Sequence, residues 1–270
     1  MRRREGFGKS RELKTTSNLQ IVIKEPEVLR DKVLITGFHG LGGIGHLTVR
    51  YIAETALKQN AGRRIGYIVS NIMPPFVEVL TDGTFGIPYE LIETGDSILL
   101  LIRFQPTLEE QALLADELTK IAEREDMRAI LLMGGIDISA FPDSDNAPLV
   151  YVANEIFKED FLPTVKSWDL DAAPKGIFVT GGVALFLTYA THRNIPAAAL
   201  FAPTEKGIIN RQEALRLAKK VVSLFNLPVK LDELERELRA AQTVLRKMQE
   251  KLMREIEEEK VSEDVSQLFT

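Results

Sequence analysis

Short, almost unbroken apolar runs alternate with helical stretches across residues 19–228, and few architectures can hold such a pattern. Runs such as Val33-Leu34-Ile35 and Ala129-Ile130-Leu131-Leu132-Met133 offer no polar alternation to a solvated face, so each requires cover on both sides. The pattern predicts strands at Leu19–Lys24, Lys32–Phe38, Ile65–Ile72, Pro88–Glu93, Ser97–Phe104, Ala129–Met133, Gly176–Thr180 and Ala197–Ala202. Between them it predicts helices at Gly45–Gln59, Leu108–Arg124, Val183–His192 and Arg211–Phe225, and a short one at Leu149–Phe157. Thr107 stands three places before Glu110, a capping-box spacing that starts the second of these helices. Thr94-Gly95-Asp96 reads as a hairpin turn, which makes one edge of the sheet mixed. The expected fold is a single α/β core over 19–228, a mostly parallel sheet covered by helices, without internal repeats. Residues 1–18, polar and basic without periodicity, read as a flexible N-terminal extension.

A different period begins after Pro228. Leu231, Leu234, Leu238, Ala241, Leu245, Met248 and Leu252 follow one another in steps of 3, 4, 3, 4, 3 and 4, which is a heptad seam. The positions between are mostly Glu, Arg, Lys and Gln, all good helix formers. The seam predicts a helical arm over 229–258, in which a helix over 231–257 is roughly 40 Å long at about 1.5 Å per residue. So narrow a stripe needs a second helix or a groove, and the 3.5-residue period favours a coiled-coil pairing over packing on a sheet. Residues 259–270 are polar and read as a flexible tail, yet they end in Leu268-Phe269-Thr270 beside the terminal carboxylate.

Composition closes off several chemistries. The chain has no cysteine, which removes disulfides, thiolate metal sites and thiol nucleophiles and fits a reducing cytoplasm. A net charge of -5 gives no general attraction to nucleic acid or anionic membrane, and no apolar run has the length of a membrane span. The three histidines, His39, His46 and His192, lack metal-ligand spacing, and Asp143-Ser144-Asp145-Asn146 lacks the terminal Glu of a calcium loop. The sequence has no G-x-S-x-G elbow and no P-loop.

Glycine clusters are the remaining candidate site. They are Gly37, Gly40, Gly42, Gly43 and Gly45 around His39, then Gly134-Gly135, then Gly181-Gly182, each expected at the end of a strand. Such loops serve two ends: tight strand-to-helix turns, or a phosphate or nucleotide site at the carboxyl edge of a sheet. His39 could act as a base only with a carboxylate such as Asp137 or Asp143 beside it.

The stretch Ile35-Thr36-Gly37-Phe38-His39-Gly40-Leu41-Gly42-Gly43-Ile44-Gly45, with Leu132-Met133-Gly134-Gly135 and Val179-Thr180-Gly181-Gly182, resembles the proteasome-assembly-chaperone family. The likeness covers about 19–228, and the arm and ending are similar to archaeal homologues of the PbaB type. The resemblance implies a phosphorylase-like α/β fold without established catalysis, homo-oligomers (a tetramer for this type), and binding to proteasome α subunits or the α ring; such a binding protein needs no cofactor, and the residues give no metal signature. It places Leu268, Phe269 and Thr270 on a hydrophobic–tyrosine–any-residue docking motif, with Phe269 where tyrosine is usual. Two other functions stay open on the residues alone: a nucleoside- or nucleotide-using enzyme at the glycine loops, and a scaffold built on the seam.

Overall fold

The computed structural model describes residues 11–14, 19–244 and 248, apart from residues 74, 76, 82, 145, 166 and 167. Helical residues also begin a second unit after Val229, over 232–244.

A ten-stranded sheet organises the first unit. In chain order its strands are β1 (Arg11–Lys14), β2 (Leu19–Ile23), β3 (Val33–Gly37), β4 (Arg63–Ser70), β7 (Tyr89–Thr94), β8 (Ser97–Ile102), β9 (Ala129–Asp137), β10 (Val150–Ala153), β11 (Asp171–Ala172) and β12 (Ala197–Thr204). A separate two-stranded piece, β5 (Glu78–Val79) with β6 (Phe85–Gly86), interrupts the connection from β4 to β7. The spatial order is β1-β2-β4-β7-β8-β3-β9-β12-β10-β11. Only the centre, β8-β3-β9-β12, is a continuous parallel block; β1, β2, β4, β7 and β8 run antiparallel to one another, as do β12 and β10. The sheet is therefore mixed rather than mostly parallel. Apolar runs covered on both faces look alike in either direction, and the tight turn at Gly95-Asp96, with Thr94 paired to Ser97, reverses the chain without a helix.

Side-chain alternation along the central strands divides the core. Leu34, Ile98, Leu100, Ile130, Leu132 and Ala199 join one buried cluster with Leu114 and Leu118 of α2 (Leu108–Arg124) and Phe186 of α3 (Gly181–His192). Their neighbours in sequence point to the other face, where α1 (Ile44–Lys58) packs with α4 (Arg211–Leu224). Local signals place the helix starts. Thr107 accepts a hydrogen bond from the Glu110 amide at 3.2 Å, and Asn210 caps α4 by accepting from the Glu213 amide at 3.1 Å.

Three further expectations are corrected. Residues 149–157 do not form a helix; Val150-Tyr151-Val152 pair with β12, since β-branched and aromatic side chains suit a pleated, half-buried edge, and helical turns start only at Glu155. Residues 176–180 form no strand: the approach to α3 is irregular, Gly176 has φ 92°, and Phe178 is 90% exposed. Residues 11–14, assigned to the flexible extension, pair antiparallel with β2.

In the second unit, 232–244 are helical. Leu231 is buried, Leu234 and Leu238 are half-buried, and Ala241 and Met248 are exposed. Leu245 and Leu252, and the ending Leu268, Phe269 and Thr270, lie outside the described residues.

Candidate functional site

The parallel block sends β3, β9 and β12 to the same edge, and beyond their carboxyl ends lies a cleft of ≈ 480 Å³. That is within the range of about 300–1,000 Å³ usual for small-molecule sites. The cleft gathers all three glycine clusters: His39 and Gly40 after β3, Gly134 and Gly135 in β9, Gly181 and Gly182 at the start of α3. Gly37, Gly42, Gly43 and Gly45 do not line it.

Packing accounts for most of these glycines. A β-carbon on Gly37 would overlap the Gly45 carbonyl, and one on Gly45 would overlap the Met133 carbonyl, so this pair lets the first turn of α1 lie against β3 and β9. Gly134 leaves room for the Phe201 ring, Gly135 for the Leu41 carbonyl and Gly182 for the Phe38 ring. Gly42 and Gly43, at φ 64° and 66°, make the left-handed turn into α1. Gly134 and Gly135 are also inside β9, not past its end, and Gly181-Gly182 open a helix instead of closing a strand. Gly40 differs: its φ is -99°, and a β-carbon there would meet nothing within 4 Å.

The polar groups of the cleft are few. His39 stacks on His46, ring centroids 3.7 Å apart, and its Nδ1 is buried without a hydrogen bond among the described residues. Nδ1 of His46 donates to the Ile102 carbonyl at 2.7 Å, which fixes that tautomer because the carbonyl only accepts. Burial, helped by the charge of Arg50, lowers His39 to about 4. Burial, followed by the neighbouring His39, lowers His46 to about 3. Both rings are neutral at neutral pH. Asp137 also lines the cleft, so the structure does bring it to the same site as His39, but no hydrogen bond among the described residues joins them. Instead Asp137 pairs with Lys206 at 2.8 Å and accepts from the Ser139 amide at 3.0 Å, which holds its carboxyl down at about 2. Asp143 is spent in an exposed turn, accepting from Asn146 at 3.0 Å. Among the described residues there is no cluster of three metal-ligating side chains.

Gln111 is the residue that sequence reasoning missed. It lies in the first turn of α2, is 6% exposed, and lines the cleft; nothing in its local sequence sets it apart from any other helix-forming glutamine. Lys206 and Phe178 were missed for the same reason, being loop residues whose place follows only from the packing of β12 and α3.

The PAC2 family model matches residues 34–249. An uncharacterised protein of Methanocaldococcus jannaschii, MJ1210, is 24% identical over 231 residues, covering 84% of this chain and 86% of its own. The crystal structure of Pyrococcus furiosus PbaA, an archaeal homologue of proteasome-assembly chaperone, superposes with a TM-score of 0.75 at 18% identity, covering 94% of this chain and 100% of PbaA. Pyrococcus furiosus PbaB, an archaeal proteasome activator, gives 0.66 at 16% identity, covering 87% of this chain and 100% of PbaB. These likenesses establish the fold. No helix among the described residues is long and apolar enough to cross a membrane.

Proposed function

We propose that this chain, which belongs to the PAC2 family, is a proteasome-assembly chaperone or activator homologue that docks on proteasome α subunits through its C-terminal residues. Family membership carries the reading, supported by a fold that matches PbaA and PbaB over their full lengths. The terminal carboxylate of Thr270 pairs with a lysine in a pocket between ring subunits, and Leu268 and Phe269 fill that pocket. Burial contributes up to about 1.5–3 kcal/mol for each of the two side chains, before the cost of ordering the tail. One tail binds weakly. A homo-oligomer, held together by the heptad seam, presents several tails at once and gains affinity through effective concentration. Phe269 lacks the hydroxyl of the usual tyrosine, which removes a hydrogen bond worth about 0.5–1.5 kcal/mol. Docking then survives while any opening of the ring's gate weakens. Binding of this kind requires neither a cofactor nor turnover.

The test is capture of free α subunits and of preformed α rings by the full-length protein and by a variant lacking Leu268–Thr270. The truncated protein should retain its circular dichroism spectrum and lose capture. Equal capture by both proteins would remove the ending from the mechanism.

A further inference from the structure

The cleft has its own chemistry, independent of the C-terminal residues. Its charged side chains, Asp137 and Lys206, neutralise each other. Nδ1 of His39 has no partner among the described residues. Gln111 is anchored at one end: its Nε2 donates to the Pro106 carbonyl at 2.9 Å, and since that oxygen only accepts, the amide cannot be turned round. Oε1 is therefore committed to the other side. There it stands 3.3 Å from where a β-carbon of Gly181 would be, and it makes no hydrogen bond among the described residues. Beside it α3 begins, and Thr180 gives that helix no side-chain cap. The first-turn N–H groups of α3 are donors without a helical acceptor. A donor set and a fixed acceptor thus stand side by side, next to apolar walls that include Met133, Ile177 and Phe201. Gly40 adds the one glycine of the site that neither φ nor packing requires, so the backbone there is open to close approach.

We infer that the cleft is a binding site for a small, neutral, planar heterocycle whose edge carries a carbonyl next to an N–H, a lactam such as that of uracil or hypoxanthine. The carbonyl accepts from the first turn of α3, the adjacent N–H donates to Oε1 of Gln111, and the ring lies between the apolar walls. A bare oxyanion suits the helix terminus but sets its charge against the lone pairs of Oε1, whose orientation Pro106 fixes. Neutral complementarity therefore outweighs the helix dipole, whose pull on an anion is weak at exposed sites.

Isothermal titration of the full chain with hypoxanthine and uracil tests the assignment, with benzoate, inorganic phosphate and adenosine monophosphate as comparators. At least one of the two lactams should bind saturably, at least tenfold more tightly than benzoate or phosphate. Gln111→Leu should weaken it tenfold or more. Gly40→Val, which adds its side chain to open space, should keep the unfolding midpoint and weaken the lactam likewise. Failure of both lactams to bind overturns the inference. So does phosphate or benzoate binding as tightly, or lactam binding that ignores both substitutions. Adenosine monophosphate, whose base carries no carbonyl, should bind at least tenfold more weakly than the better lactam; binding as tight counts against the carbonyl edge.

Discussion

Replacing Gly45 with alanine should be among the most damaging single-methyl changes the core can receive. The new β-carbon would overlap the Met133 carbonyl oxygen and also stand 2.9 Å from the Phe38 carbonyl and 3.0 Å from the Phe38 amide nitrogen. All three are backbone atoms of β9 or of the loop after β3, so no side chain can rotate away. Overpacking of a close-packed interior costs about 1–3 kcal/mol. With backbone on every side the cost should sit at the top of that range, about 3 kcal/mol, a large share of the roughly 5–15 kcal/mol that holds a typical domain folded. At an m-value of about 3 kcal/mol/M in urea, the unfolding midpoint should drop by about 1 M. Gly40→Ala is the control, five residues earlier in the loop that leads into α1, and its midpoint should stay within about 0.2 M of the parent, since surface changes are usually within ±0.5 kcal/mol. Equal midpoints for the two variants would show that α1 does not lie against β3 and β9 as described, and would refute the packing account of the glycine motif.

The stacked histidines should make stability fall with acid. Both carry folded-state values below the ordinary 6.5, so their contribution is complete above 6.5 and declines as pH falls from there toward about 4, where the unfolded chain takes up protons that the folded one refuses. Urea midpoints measured from pH 7 to 4 should fall accordingly, and His39→Phe should flatten the decline; an unchanged slope in that variant would contradict the assignment. Thr107→Ala should cost about 1 kcal/mol through loss of the cap to Glu110, read from the same midpoints. Changing Leu238 and Leu245 together to Asp should reduce the particle size in sedimentation velocity, and an unaltered size would mean that the seam has no helical partner.

What the sequence makes legible is local. The hairpin at Gly95, the cap at Thr107 and the bounds of α1, α2 and α4 depend on residues a few places apart, and spacing reveals them. Strand direction depends on neighbours far along the chain, which is why the antiparallel side of the sheet passes for parallel. Val150–Ala153 is too short for periodicity to separate strand from helix. At Ile177–Val179 an apolar stretch reads as a core strand, whereas it lines the cleft with Phe178 exposed. Part of each glycine cluster falls at the cleft because parallel strands send their ends to a shared edge. Gln111 is invisible in sequence, because its role comes from the Pro106 carbonyl holding one end of its amide.

The glycines also separate two questions that the motif by itself runs together. Gly37, Gly45, Gly134, Gly135 and Gly182 each remove a β-carbon that would strike a neighbour, so a chain folding this way needs them whether or not anything binds in the cleft. The same glycines in another chain would thus be a sign of shared architecture and carry no weight for a shared ligand. Gly40 is free of that requirement, so a test at Gly40 and Gln111 addresses binding without disturbing the fold. Under the proposed function, capture of α subunits rests instead on the last three residues. The two activities can therefore fail separately: truncation should leave lactam binding intact, and Gln111→Leu should leave capture intact. Loss of both from either change would point to global misfolding, which the urea midpoint of the same variant would reveal.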